Sequence, residues 1–125
     1  MNKRIITFIL LTTLSFAFLL VAPNAIVLRN AGQQPNHYEL PAPADEPDVY
    51  YDSDTHEIII DGQGFVNYYD VEIATASSYV TMLTTHVNGY YDTIDISSLP
   101  QGHYIITIES PLGNTFEGYF DTYDD

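Results

Sequence analysis

Three copies of one tripeptide carry the most chemically suggestive pattern in the chain. Tyr50-Tyr51-Asp52, Tyr68-Tyr69-Asp70 and Tyr90-Tyr91-Asp92 repeat it, and Tyr119-Phe120-Asp121 is a near-copy. On a strand, neighbouring side chains point to opposite faces. One ring of each pair therefore packs inward while the other faces out. Tyr50, Tyr68, Tyr90 and Tyr119 are the candidate outward rings. An aromatic face flanked by carboxylates stacks on a sugar or caps an apolar patch on a protein. Strand packing alone also accounts for the repeat, with the acid closing each apolar run.

A second grouping is acidic. Asp52, Asp54 and Glu57 are close in sequence, with Thr55 between them and Asp61 nearby. Calcium takes hard oxygen ligands of this kind from loops. The EF-hand spacing is absent, and a solvated acidic turn has the same composition. Weak calcium binding is the one cofactor expectation, and with it a calcium-dependent adhesion module as a minor alternative. His37, His56, His86 and His103 are scattered, with no metal-ligand spacing between any two. No G-x-S-x-G elbow, P-loop or G-x-G-x-x-G is present. Carboxylate pairs can hydrolyse glycosides, but among 17 acids some pair arises by chance. The chain is not read as an enzyme.

Charge narrows the partners. The 125 residues hold 17 acids, 3 bases and no cysteine. Nucleic acid is excluded, because tracking phosphates needs Lys and Arg. An anionic membrane surface is disfavoured for the same reason. Without cysteine there is no disulfide framework and no thiolate site.

The elements that must position these residues begin with an export signal. Lys3 and Arg4 precede an uncharged apolar run, Ile5 to Val21, followed by Ala22, Pro23, Asn24 and Ala25. This is the pattern of a secretory signal peptide over residues 1–25, with Ala25 as the preferred last residue. The 17-residue run also approaches the length of an uncleaved anchor. Cleavage removes two of the three bases and leaves Arg29 alone against all the acids. Residues 26–48 read as an arm or linker, since Pro35, Pro41, Pro43 and Pro47 oppose both helix and ladder. Ile26 to Leu28 could still pair as an edge strand.

From Val49 the pattern turns to period two. Ile58 and Ile60 share one face. Tyr69, Val71 and Ile73 share another, against Tyr68, Asp70 and Glu72. Val80 and Met82 are assigned inward on the next strand. Ile94 with Ile96, then Tyr104 with Ile106 and Ile108, and finally Phe116, Gly118 and Phe120 continue the inward set. About seven short strands at regular spacing, with no helical stretch, predict an all-β fold over residues 49–125. The expected form is an immunoglobulin-like two-sheet antiparallel β-sandwich, with a small open barrel as the alternative.

The stretch Leu99-Pro100-Gln101-Gly102-His103-Tyr104-Ile105-Ile106-Thr107-Ile108, followed by Gly113-Asn114-Thr115-Phe116-Glu117-Gly118-Tyr119-Phe120, carries a resemblance. It is similar to a family of small secreted immunoglobulin-like sandwich proteins of unknown function from gut anaerobic bacteria. The resemblance covers about residues 49–121 and implies a signal peptide, a proline-rich lead-in and a lone sandwich. It carries over no catalytic residues. The same corner resembles, more weakly, the C-terminal sorting domains of type IX secretion. Those end near a basic residue, whereas this chain ends Asp121-Thr122-Tyr123-Asp124-Asp125. Together these readings predict an exported binding or accessory module contacting protein or carbohydrate at or outside the cell envelope. The alternative is an assembly component that pairs through its N-terminal arm or a sheet edge.

Overall fold

A computed structural model describes residues 22–31 and 43–123. Most of the expected signal and part of the arm lie outside the described residues. Among those described there are nine strands: β1 (Asn24–Ile26), β2 (Arg29–Asn30), β3 (Asp48–Asp52), β4 (Glu57–Asp61), β5 (Tyr68–Thr75), β6 (Thr81–Asn88), β7 (Tyr91–Asp95), β8 (His103–Glu109) and β9 (Thr115–Asp121). They form a four-stranded sheet ordered β1-β3-β4-β7 and a five-stranded sheet ordered β2-β9-β8-β5-β6. Every pairing is antiparallel.

The period-two sequence decides which face is buried. Tyr51, Ile58, Ile60 and Ile94 from the first sheet meet Tyr69, Val71, Ile73, Ile106, Ile108, Phe116 and Phe120 from the second. Ile58, Ile60, Tyr69, Ile73, Ile106, Ile108 and Phe116 have no exposed surface at all. Acids alternate with this set along the strands and stay at the surface, so burial desolvates few charges.

Two expectations need correction. Val80 and Met82 do not point inward: they are 54% and 37% exposed. On β6 the buried residue is Val87, which pairs with Tyr69, and Leu83 is half-buried. The register slips at a bulge between Ile73 and Ala74, which moves Thr81 opposite Ala74. Local alternation cannot reveal such a slip, and one residue of slip exchanges the faces.

The second correction concerns the arm. The last two residues assigned to the signal, Asn24 and Ala25, and the first residues of the arm belong to the sandwich. Asn24–Ile26 pairs with Tyr51–Val49, and Arg29 and Asn30 pair with Glu117 and Phe116. The chain thus crosses from one sheet to the other, and Ile26 enters the core. A Cβ on Gly118 would lie 2.7 Å from Ile26 Cγ2 and 2.9 Å from the Val27 carbonyl oxygen. That glycine makes room for the crossing segment, not for its two Phe neighbours. The two edges this segment covers are its own chain's.

Candidate functional site

The register sorts the connections into two ends. The β4–β5 loop, the β6–β7 turn and the β8–β9 hairpin share one end with the chain entering β3. This loop end is rich in Gly, Asn and aromatic residues: Gly62-Gln63-Gly64-Phe65-Val66-Asn67, Asn88-Gly89-Tyr90 and Ser110-Pro111-Leu112-Gly113-Asn114.

The first two of these loops are tied together through the backbone. The Gly62 and Gln63 N–H groups donate to the Tyr90 carbonyl (2.9 and 3.2 Å), Gly64 N–H donates to the Gly89 carbonyl (3.0 Å), and Gly89 N–H donates to the Asn67 carbonyl (2.8 Å). Glycine is required at the centre, because a Cβ on Gly89 would sit 1.7 Å from the Val66 carbonyl oxygen. Asn88 shapes the turn locally: its Oδ1 accepts the N–H groups of Tyr90 (2.9 Å) and Tyr91 (3.0 Å). Gly64 has φ +81°, and its Cα faces the Tyr90 ring so closely that a Cβ would be 2.7 Å from the ring edge.

The result is a fixed scaffold that holds aromatic rings in water. Tyr90 is 68% exposed, Phe65 59% and Tyr91 57%. Acceptors lie beside them. Asp48, Asp61 and Tyr91 form one cross-strand row. Gln63 donates to Asp48 (3.0 Å) through its amide and to Asp61 (3.2 Å) through its backbone.

Beneath this end lies an anchor that sequence reading did not find. Asp45 is buried in the segment read as arm. Its carboxylate accepts hydrogen bonds from Ser110 Oγ and from Asn114 Nδ2 (3.0 Å). Its carbonyl accepts the Tyr69 hydroxyl (2.8 Å). Burial pushes the Asp45 carboxyl upward, but the bonds from Ser110, Asn114 and its own backbone outweigh this and hold it below the usual carboxylate range. Burial, helped by the nearby Asp45 charge, pushes the Tyr69 hydroxyl up to about 12. No local signal marks Asp45, because its partners are 65 and 69 residues away.

The four candidate tyrosines are not one surface. Tyr90 lies at the loop end. Tyr68 is at the same end on the outer face of the five-stranded sheet, half-buried and stacked on His86 at 4.6 Å between centroids. His86 Nδ1 is 2.6 Å from Asp70 Oδ1. Tyr50 is on the outer face of the opposite sheet, half-buried beside a 170 Å³ depression that Ala25, Leu28 and Glu46 also line. Tyr119 is 55% exposed toward the other end, opposite Ile105. Phe65 and Tyr91 belong with Tyr90 and were not among the candidates. Tyr91 breaks the triplet rule because Ile94 sets the inward parity of β7. Phe65, held between glycine-rich turns, was visible as an aromatic in a loop.

The acidic candidates form a hairpin cap. Asp52 Oδ1 accepts the N–H groups of Asp54 (2.9 Å) and Thr55 (3.4 Å), and Glu57 stands across the strand pair from Asp52. Among the described residues, no three His, Asp or Glu side chains converge as a metal site requires.

No family model matches the chain, and no curated protein matches it. Among solved structures, it is similar to a DUF3244 family protein with an immunoglobulin-like β-sandwich fold from Bacteroides vulgatus. The identity is 14%, the TM-score is 0.62, and the match covers 82% of this chain and all of that one. The fold is immunoglobulin-like. The likeness bears out the immunoglobulin-like sandwich expected from the strand pattern. In an immunoglobulin-like sandwich the loops of one end are displayed on a rigid body, which is the arrangement found around Tyr90.

Proposed function

We propose that this chain is an exported, non-enzymatic binding module that holds neutral carbohydrate at its loop end. The observation that carries the reading is the exposure of Phe65 and Tyr90 on loops locked by four backbone hydrogen bonds, with Tyr91 exposed beside them at the start of β7. A solvent-exposed apolar ring costs free energy on its own, and a rigid one loses little entropy when it is covered. Sugar C–H faces stack on such rings, while Asp61, Asp48 and Gln63 supply acceptors and a donor for hydroxyl groups. A neutral ligand also meets no opposition from the net acidic charge. The amino-terminal pattern of Lys3, Arg4 and the apolar run supports export, and with it a position at or outside the envelope.

The test is a titration with a panel of neutral glycans, read by chemical shifts. Shifts confined to Phe65, Tyr90, Tyr91 and the Gly62–Asn67 loop are expected, and Tyr90→Ala should weaken binding at least tenfold. Shifts at no residue across the panel, or shifts centred on Tyr119 or Tyr50, would reject this assignment.

A further inference from the structure

The long strands of this protein carry acids with one exception. β3 has Asp48 and Asp52, β4 has Glu57 and Asp61, β5 has Asp70 and Glu72, and β7 has Asp92 and Asp95. β8 ends in Glu109, and β9 has Glu117 and Asp121. β6 reads Thr-Met-Leu-Thr-Thr-His-Val-Asn, eight residues with no carboxylate and no proline. It is also the outer strand of the five-stranded sheet, paired on one side only by β5 among the described residues. The opposite edge of that sheet is closed by the two-residue β2.

Free edges of this length are normally blunted by charge, proline or a covering segment, because their unpaired N–H and C=O groups template another strand. Here β6 carries no carboxylate of its own; those that reach it come from neighbouring strands, Glu72 accepting from Thr81 Oγ1 (3.2 Å), Asp70 beside His86, and Asp92 accepting the Asn88 N–H (3.1 Å) at its last residue. Threonines at 81, 84 and 85 and Val87 favour strand pairing. Next to β6 the outer face holds an acidic hollow of about 150 Å³, lined by Asp70, Val71, Glu72, Thr84, Thr107 and Glu109. Thr84, the β6 residue on its rim, stands opposite Glu72 and is small enough for a side chain to pass over.

We propose that β6 is a docking edge for an extended, lysine- or arginine-bearing segment of another protein, which adds as a sixth strand to the sheet. Main-chain hydrogen bonds along Thr81–Val87 supply affinity, since the Asn88 N–H is already held by Asp92. The basic side chains on the outer face cross Thr84 and bring their charge to Glu72, which stands opposite it on β5, with Asp70 and Glu109 deeper in the hollow adding to the negative potential. Charge complementarity selects this occupant over a second copy. Two copies of a chain with a net charge of -14 repel each other as they approach, whereas a basic strand is drawn in. The edge therefore stays free of self-pairing through the charge of the whole molecule.

A blocked nine-residue peptide of alternating lysine and valine, titrated into the purified protein, tests this with hydrogen exchange read at each β6 amide. Alternate β6 amides should gain protection, and affinity should fall with added salt. The glutamate–valine counterpart should bind at least tenfold more weakly. The lysine–valine peptide N-methylated along one edge should lose the β6 protection. Glu72→Gln should weaken the parent peptide several-fold and leave the far-ultraviolet spectrum unchanged. Three results would overturn the proposal: no protection on β6, equal binding by the N-methylated peptide, or β6 protection in the absence of peptide with a dimer in sedimentation. None of them bears on the loop-end aromatics, which lie outside β6.

Discussion

At the end of the sandwich where β8 begins, Tyr79 and Tyr119 are exposed, but Tyr51, Tyr104 and Phe120 turn into the core. Tyr104 stacks on Phe120 at 5.6 Å, and Phe120 meets Tyr51 at 5.8 Å. The Tyr104 hydroxyl donates to the Pro100 carbonyl, as a corner tyrosine does in such sandwiches. The Thr122 N–H donates to the Gly102 carbonyl (3.0 Å) and the Gly102 N–H donates to Thr122 Oγ1 (3.0 Å), which closes this end. Tyr123 is exposed here but packs edge-on against His103. At the opposite end Phe65, Tyr90 and Tyr91 face water from loops just as firmly bonded. Similar residues therefore do two jobs. Where rings turn inward they contribute to stability, and where rigid loops hold them outward they are available to a ligand.

The difference can be broken at either end. The largest effect is expected from Phe120→Ala, which empties a core position shared by two tyrosines and should cost about 3–5 kcal/mol in urea unfolding. A loss under about 1 kcal/mol would show that the inward rings are not the stabilising set. Gly89→Ala comes next at the loop end. With a carbonyl 1.7 Å from the new Cβ, the two loops must separate, at a cost of about 3 kcal/mol. Fast hydrogen exchange at Gly62 and Gly64 in this variant would accompany the loss; unchanged exchange there would contradict a locked scaffold.

Asp45→Ala should cost about 2 kcal/mol, because Ser110 and Asn114 lose a buried partner. The parent carries a matching acid limb. The folded carboxyl lies below its ordinary value of 3.8, so its contribution is present above that pH and is lost as pH falls through the folded value. Stability profiles of parent and variant should converge in acid, and parallel profiles would count against the anchor. Tyr69 governs the alkaline side. Its hydroxyl is raised from 10.0 to about 12, so its contribution is complete below pH 10 and is lost as pH rises toward 12. Tyr69→Phe should remove that limb at a cost of about 1 kcal/mol near neutrality. The smallest effect on stability is expected from Tyr90→Ala, within about 0.5 kcal/mol, as for exposed positions generally. A larger loss would make the outward rings structural after all.

Much of the fold was legible because most strands have one buried face. Ile58 with Ile60, Tyr69 with Val71 and Ile73, and Tyr104 with Ile106 and Ile108 all face inward as their alternation predicts. β6 was misread because an edge strand of threonines is polar on both faces, so it has no alternation strong enough to fix its register. The candidate site was legible in part. Tyr90 and Tyr68 fall at the loop end, but Tyr50 and Tyr119 lie elsewhere, since a repeated triplet records strand alternation and not proximity.

The sequence by itself determined the all-β class, the acidic surface and the inward set, because these depend on residue type and a period of two. Only the tertiary structure decided which loops share an end, that Asp45 lies under them, that Ile26 needs the space at Gly118, and that the one acid-free long strand is the outer strand of its sheet among the described residues. Each of these joins residues far apart in the chain through strand order. Strand order is set by how two sheets pack, which no local pattern of side chains records.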